Sequence, residues 1–242
     1  MKKVRAIFVS DVHLGLKKSK VKELLKLFDS YEADSYYFVG DIIDFWKLQS
    51  SVYWSKQNNE LIRKVMKLAK SKSVTYILGN HDEILKDFAG NDFGGIKLEL
   101  KAEHIAKDGK RVLVIHGDQF DKIILHQRWL AVLGSWMYDV LLELNEINNW
   151  IRRTLKLRPW SLSMYLKHKA KQATGLMQNF KVACSEYATL HFYDAVITGH
   201  IHKPEIDGAY MNCGDWIENC TAIIEDKTGH FEIVRISCHD KS

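Results

Sequence analysis

The chain predicts an α/β fold in which parallel strands form the centre of one sheet and antiparallel strands close a second. Three observations carry that expectation. Short continuous apolar runs recur, each stopping abruptly at a small or metal-capable residue. Helix-like segments, with apolar residues three or four apart, separate the first three runs. The last part of the chain instead alternates apolar with polar residues between turn-rich breaks. Buried strands read as unbroken apolar runs, and half-buried strands alternate with period two.

Taken in order, AIFV at 6–9 precedes SDVHLG, and a helix is expected over 19–31. YYFV at 36–39 precedes GDIID, and a second helix is expected over 53–70. VTYIL at 74–78 precedes GNHD, VLVI at 112–115 precedes HGD, and AVI at 195–197 precedes TGHIHKP. Strand alternating with helix favours parallel pairing. Residues at the carboxyl ends of such strands then converge on one edge of the sheet. Segments 210–212, 221–225 and 231–236, separated by GDW and DKTG, read as the antiparallel strands of the second sheet. Between His116 and His200 lies a long, mostly helical insertion, 123–153 and 161–190, broken near Arg158-Pro159. We therefore expect a single domain over 1–242 carrying a helical cap at about 122–190.

Composition narrows the class. At 242 residues the chain is long enough for one sizeable core, and 46% hydrophobic with 27% charged residues is ordinary for a globular protein. Two prolines and no single-sign charge tract leave no visible linker. The start, MKKVRAIFVSDVHLG, has too short an apolar run for a targeting segment. No stretch reaches the roughly 18 to 20 apolar residues of a spanning helix. The expectation is a cytoplasmic protein, at most peripheral on a membrane. Four cysteines without a C-x-x-C pair read as buried free thiols, with a Cys213–Cys220 bond the less favoured alternative. A net charge of +5 allows an anionic partner without naming one.

Each motif alone has an ordinary explanation. Asp-x-His is common, Gly-Asp after a strand is usually a turn or helix cap, and Asn-rich tight turns arise for backbone reasons. The combination is different. Five strand ends carry D-x-H, G-D, G-N-H-D, H-G-D and G-H-x-H, and five of the 11 histidines fall within them. Turn chemistry does not select imidazole. Asp11, His13, Asp41, Asn80, His116, His200 and His202 offer oxygen and imidazole nitrogen without thiolate, which suits Mn, Fe or Zn. Seven ligands exceed the needs of one ion, and one shared carboxylate would make two sites of four.

That set and order resemble the calcineurin-like metallophosphoesterases, and the signature is complete from Asp11 to His202. The resemblance implies a double β-sheet sandwich flanked by helices. It also implies that Asp11, His13, Asp41 and His202 hold one divalent metal, and Asp41, Asn80, His116 and His200 the other, with Asp41 bridging. Two cations about 3.5–4 Å apart acidify a water between them and neutralise phosphoryl oxygens. His81 resembles the family's non-ligand histidine, which gives a proton or hydrogen bond toward the leaving oxygen. Asp82 is expected to fix its tautomer. Asp44 is either a neighbour of the cage or a helix start. Asp118 and Asp121 are candidates for substrate contact or for orienting His116.

A narrower resemblance concerns the substrate. HGDQFD, the helical insertion, WSLSMYLKHKAK, GHIHKP and YMNCGDWIENCTA are similar to the UDP-2,3-diacylglucosamine hydrolases. Those enzymes split the pyrophosphate of a UDP-linked diacyl sugar in lipid A synthesis, commonly with Mn2+, at the cytoplasmic membrane face. Best-known members of that branch carry G-N-R-D, whereas this chain has His81 in that place. Lys167, Lys169 and Lys171, in an insertion that also holds Trp129, Trp136, Trp150 and Trp160, would supply positive charge to the pyrophosphate and to an anionic membrane surface. A general phosphodiesterase or nuclease of the same superfamily is the alternative, although no nucleic-acid motif is present.

Overall fold

The computed structural model of the chain describes residues 1–121 and 176–237. Most of the predicted cap, including Lys167, Lys169 and Lys171, lies outside the described residues. The chain divides into two compact units, Met1–Asp118 with Cys184–Ser242, and Gln119–Ala183. Within the second, Phe120 and Phe180 are buried and meet edge to face at 6.2 Å.

The elements run β1 (Lys2–Val9), α1 (Val21–Ser30), β2 (Tyr31–Val39), α2 (Phe45–Ser50), α3 (Lys56–Ala69) and β3 (Ser73–Ile77). There follow β4 (Asp92–Phe93), β5 (Ile96–Glu99), β6 (Lys101–Ile105) and β7 (Arg111–Ile115). After α4 (Leu176–Leu190) come β8 (Ala195–Thr198), β9 (Glu205–Asp207), β10 (Tyr210–Asn212), β11 (Thr221–Glu225) and β12 (Phe231–Arg235).

Two sheets form in the first unit. One is ordered β12-β11-β1-β2-β3-β5-β4 and the other β6-β7-β8-β10-β9. The parallel core β1-β2-β3 is as the alternating strands and helices predict. Period two explains why its runs are unbroken. In β2, Tyr36 and Phe38 join the cluster under α1 and α3, while Tyr37 and Val39 join the cluster facing the second sheet. Both faces are buried, so no polar alternation survives. The α1 helix buries Val21, Leu24, Leu25, Leu27 and Phe28 on one face.

Three expectations need correction. The strand ends that carry the motifs come from two sheets, because β7 and β8 pair in the second. The three C-terminal strands also part company: β11 and β12 extend the first sheet beside β1, and only β10 enters the second, parallel to β8. Alternation in sequence does not say which sheet owns a strand, and here it does not mark a half-buried face either, since β10 and β11 are buried along their whole length. Finally, Cys184 and Cys213 are buried free thiols but Cys220 is disulfide-bonded. The Cys220 carbonyl accepts the Ile236 N–H at 3.0 Å, and nothing in the linear spacing marks Cys220 as a bonded cysteine.

A polar link crosses between the sheets. His104 Nε2 lies 2.8 Å from Glu225 Oε2, and since a carboxylate only accepts, Nε2 carries the proton. Tyr37 donates its hydroxyl to Nδ1 at 3.2 Å, and Arg5 Nε donates to the same Glu225 oxygen at 3.0 Å.

Candidate metal centre

The site is assembled from loops that leave β1, β2, β3, β7 and β8. Backbone bonds stitch the first two loops together: Asp11 N–H to Gly40 carbonyl (3.1 Å), His13 N–H to Asp41 carbonyl (2.9 Å) and Asp44 N–H to Leu14 carbonyl (2.9 Å). The Gly199 N–H donates to the His116 carbonyl at 3.1 Å, which ties the two histidine loops of the second sheet.

These loops are strained where the chemistry sits. Among the described residues seven non-glycine positions have left-handed backbone, and five of them are Asp11, His13, Asp41, His200 and His202. Such conformations cost about 1–3 kcal/mol each for most side chains and persist only when the surroundings enforce them. The glycines of the motifs answer a different need. A Cβ on Gly40 would overlap the His116 ring, and one on Gly79 would overlap the Asp41 carboxylate. Both glycines are therefore required by the close approach of the next ligand.

Six of the seven predicted ligands, all but Asn80, fall into converging groups. Asp11, His13 and His202 bring one ligand atom each within 4.8 Å of one another, and Asp41, His116 and His200 form a second such group. His116 Nε2 is 3.3 Å from Asp41 Oδ2, and His13 Nε2 approaches the same oxygen at 3.9 Å, so Asp41 faces both groups. His202 Nε2 sits 3.0 Å from Asp11 Oδ1 without hydrogen-bond alignment. A third group, His13, Asp41 and His81, also lies within 4.8 Å, so His81 stands closer to the cage than a purely outlying residue would.

The tautomers are set from behind. His116 Nδ1 donates to the Val39 carbonyl at 2.9 Å, which turns Nε2 toward Asp41. His13 Nδ1 donates to Asp44 Oδ2 at 3.0 Å, which turns its Nε2 toward Asp11 and Asp41. Outer hydrogen bonds of this kind orient metal-binding imidazoles.

Whether the residues fit a metal can be judged from their orphaned atoms. Seven buried side-chain atoms among the described residues have no hydrogen-bond partner, and five belong here: Asp11 Oδ1, His13 Nε2, Asn80 Oδ1, His81 Nδ1 and His116 Nε2. Unpaired buried polar atoms are rare and costly. Asp11 and Asp41 are 0% and 2% exposed, and burying a carboxylate costs several kcal/mol unless positive charge compensates it. Electrostatics agree. Burial opposes the charged form of His13 and His116, yet the carboxylates of Asp11, Asp44 and Asp41 outweigh it and push them up to about 9 and about 10. Burial likewise opposes ionisation of Asp11, but His13 and His202 hold its carboxyl well below the usual range. The cage favours cations, and the donor set fits two divalent ions sharing Asp41.

Two assignments change. Asp82, expected to fix the His81 tautomer, is fully buried and turned the other way. Its Oδ2 accepts the Asp41 N–H (2.6 Å) and Gly79 N–H (3.2 Å), and its Oδ1 accepts the Ile43 N–H (3.1 Å) and the Tyr76 hydroxyl (2.5 Å). It braces the Asp41 loop instead. The carboxylate beside His81 belongs to Asp44, whose Oδ1 is 3.1 Å from His81 Nδ1, in ion-pair range though off a hydrogen-bond line. Asp44 Oδ1 also caps α2 through the Lys47 N–H at 2.8 Å, so both readings open in the sequence hold at once. Asp118 engages Lys86 at 3.1 Å. Asp121 is half-buried in the second unit.

Sequence reasoning missed three supports. The Trp46 ring lies 4.3 Å from the His81 ring and is half exposed. Asn219 donates to the His202 carbonyl at 2.9 Å, and Ser10 donates to Asp11 Oδ2. Only Trp46 had a signal, an aromatic residue two positions past Asp44.

Comparison with known proteins is consistent with this geometry. A family model, calcineurin-like phosphoesterase, matches residues 4–204. The UDP-2,3-diacylglucosamine hydrolase of Neisseria gonorrhoeae is 32% identical, covering 90% of this chain and 92% of that protein. The protein of the same name from a Shewanella species is 24% identical, covering 93% and 95%. Among solved structures, the Escherichia coli phosphoesterase Yfce aligns over 96% of this chain and 99% of its own, at 13% identity and a TM-score of 0.43.

Proposed function

The chain belongs to the calcineurin-like phosphoesterases, and from that premise we propose that it hydrolyses the pyrophosphate of UDP-2,3-diacylglucosamine or a closely related lipid-linked nucleotide. The products would be UMP and 2,3-diacylglucosamine 1-phosphate. The phosphoesterase chemistry is supported by two groups of candidate ligands, one containing Asp41 and the other reaching within 3.9 Å of its carboxylate through His13. The lipid substrate is supported by relatives of that name that align over nearly the full length of both chains.

In this reading Asp11, His13, Asp41 and His202 hold one metal and Asp41, Asn80, His116 and His200 the other, with Mn2+ the native ion. Two such cations would supply an acidified water and neutralise the charge that develops on the phosphoryl oxygens. The protein's own part is positional. His13 and His116 keep Nε2 directed inward, Asp82 fixes the loop that carries Asp41, and the strained loops leave the ligands little freedom to rearrange. His81, with Asp44 behind it and Trp46 against its ring, would deliver a hydrogen bond or proton to the leaving oxygen. Lys167, Lys169 and Lys171 would hold the pyrophosphate, and the protein would work against the inner face of the cytoplasmic membrane. No helix among the described residues is long and apolar enough to cross a membrane.

The test is UMP release from UDP-2,3-diacylglucosamine in detergent with Mn2+, run beside a nitrophenyl phosphodiester. Faster turnover of the lipid nucleotide supports the reading. Turnover of the phosphodiester alone replaces it with a general phosphodiesterase.

A further inference from the structure

A second polar site lies in the first unit, and none of the candidate metal ligands lines it. A cleft of about 660 Å3 is lined by Lys17, Lys18, Lys20 and Lys22, together with Tyr53 and Asn58. That size falls within the range of small-ligand sites. From these residues we propose that the cleft binds a phosphate group, independently of the substrate assigned above.

Four features argue for it. Lys17, Lys18 and Lys22 are exposed and make no ion pair with a carboxylate among the described residues, so their charge is available. The α1 helix begins here at Val21 with no side chain capping it, and an uncapped helix start presents N–H groups and partial positive charge to an anion. Asn58 is only 2% exposed; its Oδ1 accepts from the Ser55 hydroxyl at 2.8 Å, but its Nδ2 donates to nothing among the described residues. A buried amide donor left unpaired on the wall of a basic cleft calls for an acceptor. Lastly, Tyr53 holds the Lys17 ammonium 5.8 Å from its ring centre, which fixes one charge at the rim. The carboxylates on the wall do not cancel this set, since Glu23 is already met by Lys26 at 3.6 Å and Glu218 is single. Lysine binds phosphate as a point charge.

A phosphate can arrive on a soluble compound or on a lipid headgroup, and two binding arms separate these sources. In the first, inorganic pyrophosphate is titrated calorimetrically into the full-length chain after metal has been stripped and the chelator dialysed away. In the second, the protein is sedimented with phosphatidylcholine vesicles with and without about 30 mol% phosphatidylglycerol. Lys17→Glu/Lys18→Glu/Lys22→Glu should weaken the arm that binds about tenfold or more. A control of equal charge, Lys3→Glu/Lys67→Glu/Lys97→Glu, should leave it near wild type. Asn58→Ala, with every lysine intact and its fold checked by thermal melting, should weaken the same arm. Loss in the pyrophosphate arm identifies a soluble phosphate, and loss in the vesicle arm a lipid one. Equal loss in the control, unchanged binding in Asn58→Ala, or no binding by wild type in either arm overturns the proposal.

Discussion

Asp44 holds His13: the imidazole Nδ1 donates to Asp44 Oδ2 at 3.0 Å, and Nε2 on the opposite edge of the ring is left to Asp11 and Asp41. The other Asp44 oxygen stands 3.1 Å from His81 Nδ1, so one carboxylate serves a candidate ligand and the candidate acid together. Asp44→Asn can offer an oxygen to only one of them. We expect metal affinity or turnover to fall about 10- to 100-fold, the usual cost of losing an outer partner. Metal titration and kcat on the same preparation check this, and wild-type values for both would remove Asp44 from the site.

His81→Asn should keep both metals and lose about 10²–10⁴ in rate, the size of a general acid's contribution. Elemental analysis beside the kinetics decides its role. Loss of one ion would make His81 a ligand, consistent with its place in the third group of converging atoms.

The converging groups were legible because each candidate ligand follows an apolar run, and strand ends are where chemistry can be brought together. What stood behind the ligands was not. Asp82 adjoins His81 in sequence, yet it turns inward to collect the N–H groups of Asp41, Ile43 and Gly79. Asp44 reaches His81 from another strand's loop, and no spacing rule encodes that register. The left-handed backbone at five candidate ligands was equally hidden: Asp and His adopt positive φ more often than most residues, but still too seldom for it to be read from sequence. The Cys220 bond was hidden as well, since nothing in the linear spacing marks it.

Metal loading should release protons. His13 and His116 are pushed up to about 9 and about 10 by the surrounding carboxylates, so both are charged at pH 7 when the cage holds no metal. Ligation requires neutral imidazole, and metal affinity must then rise with pH until those values are passed. Calorimetry of Mn2+ binding in buffers of different ionisation enthalpy measures the released protons. A heat that does not depend on the buffer contradicts the assignment.

His104 predicts acid sensitivity of the fold. Burial pushes its imidazole below the usual range, against the pull of Glu225. Below about 6.5 the unfolded chain takes up a proton that the folded chain refuses. Its contribution is thus fully present above the unfolded value and lost as pH falls beneath it. Urea unfolding at pH 7.5 and 5.5 should show a smaller acid loss in His104→Gln than in wild type. An equal loss would place the sensitivity elsewhere.

Asp41 gives the most direct test of the whole account, since its carboxylate belongs to one candidate group and lies 3.9 Å from His13 of the other. Inductively coupled plasma mass spectrometry on Mn2+-loaded protein should count two ions per chain in wild type. It should find both weakened in Asp41→Ala, with phosphodiester hydrolysis gone. One ion in the wild type, or full metal content and turnover in the variant, would contradict a shared two-metal centre.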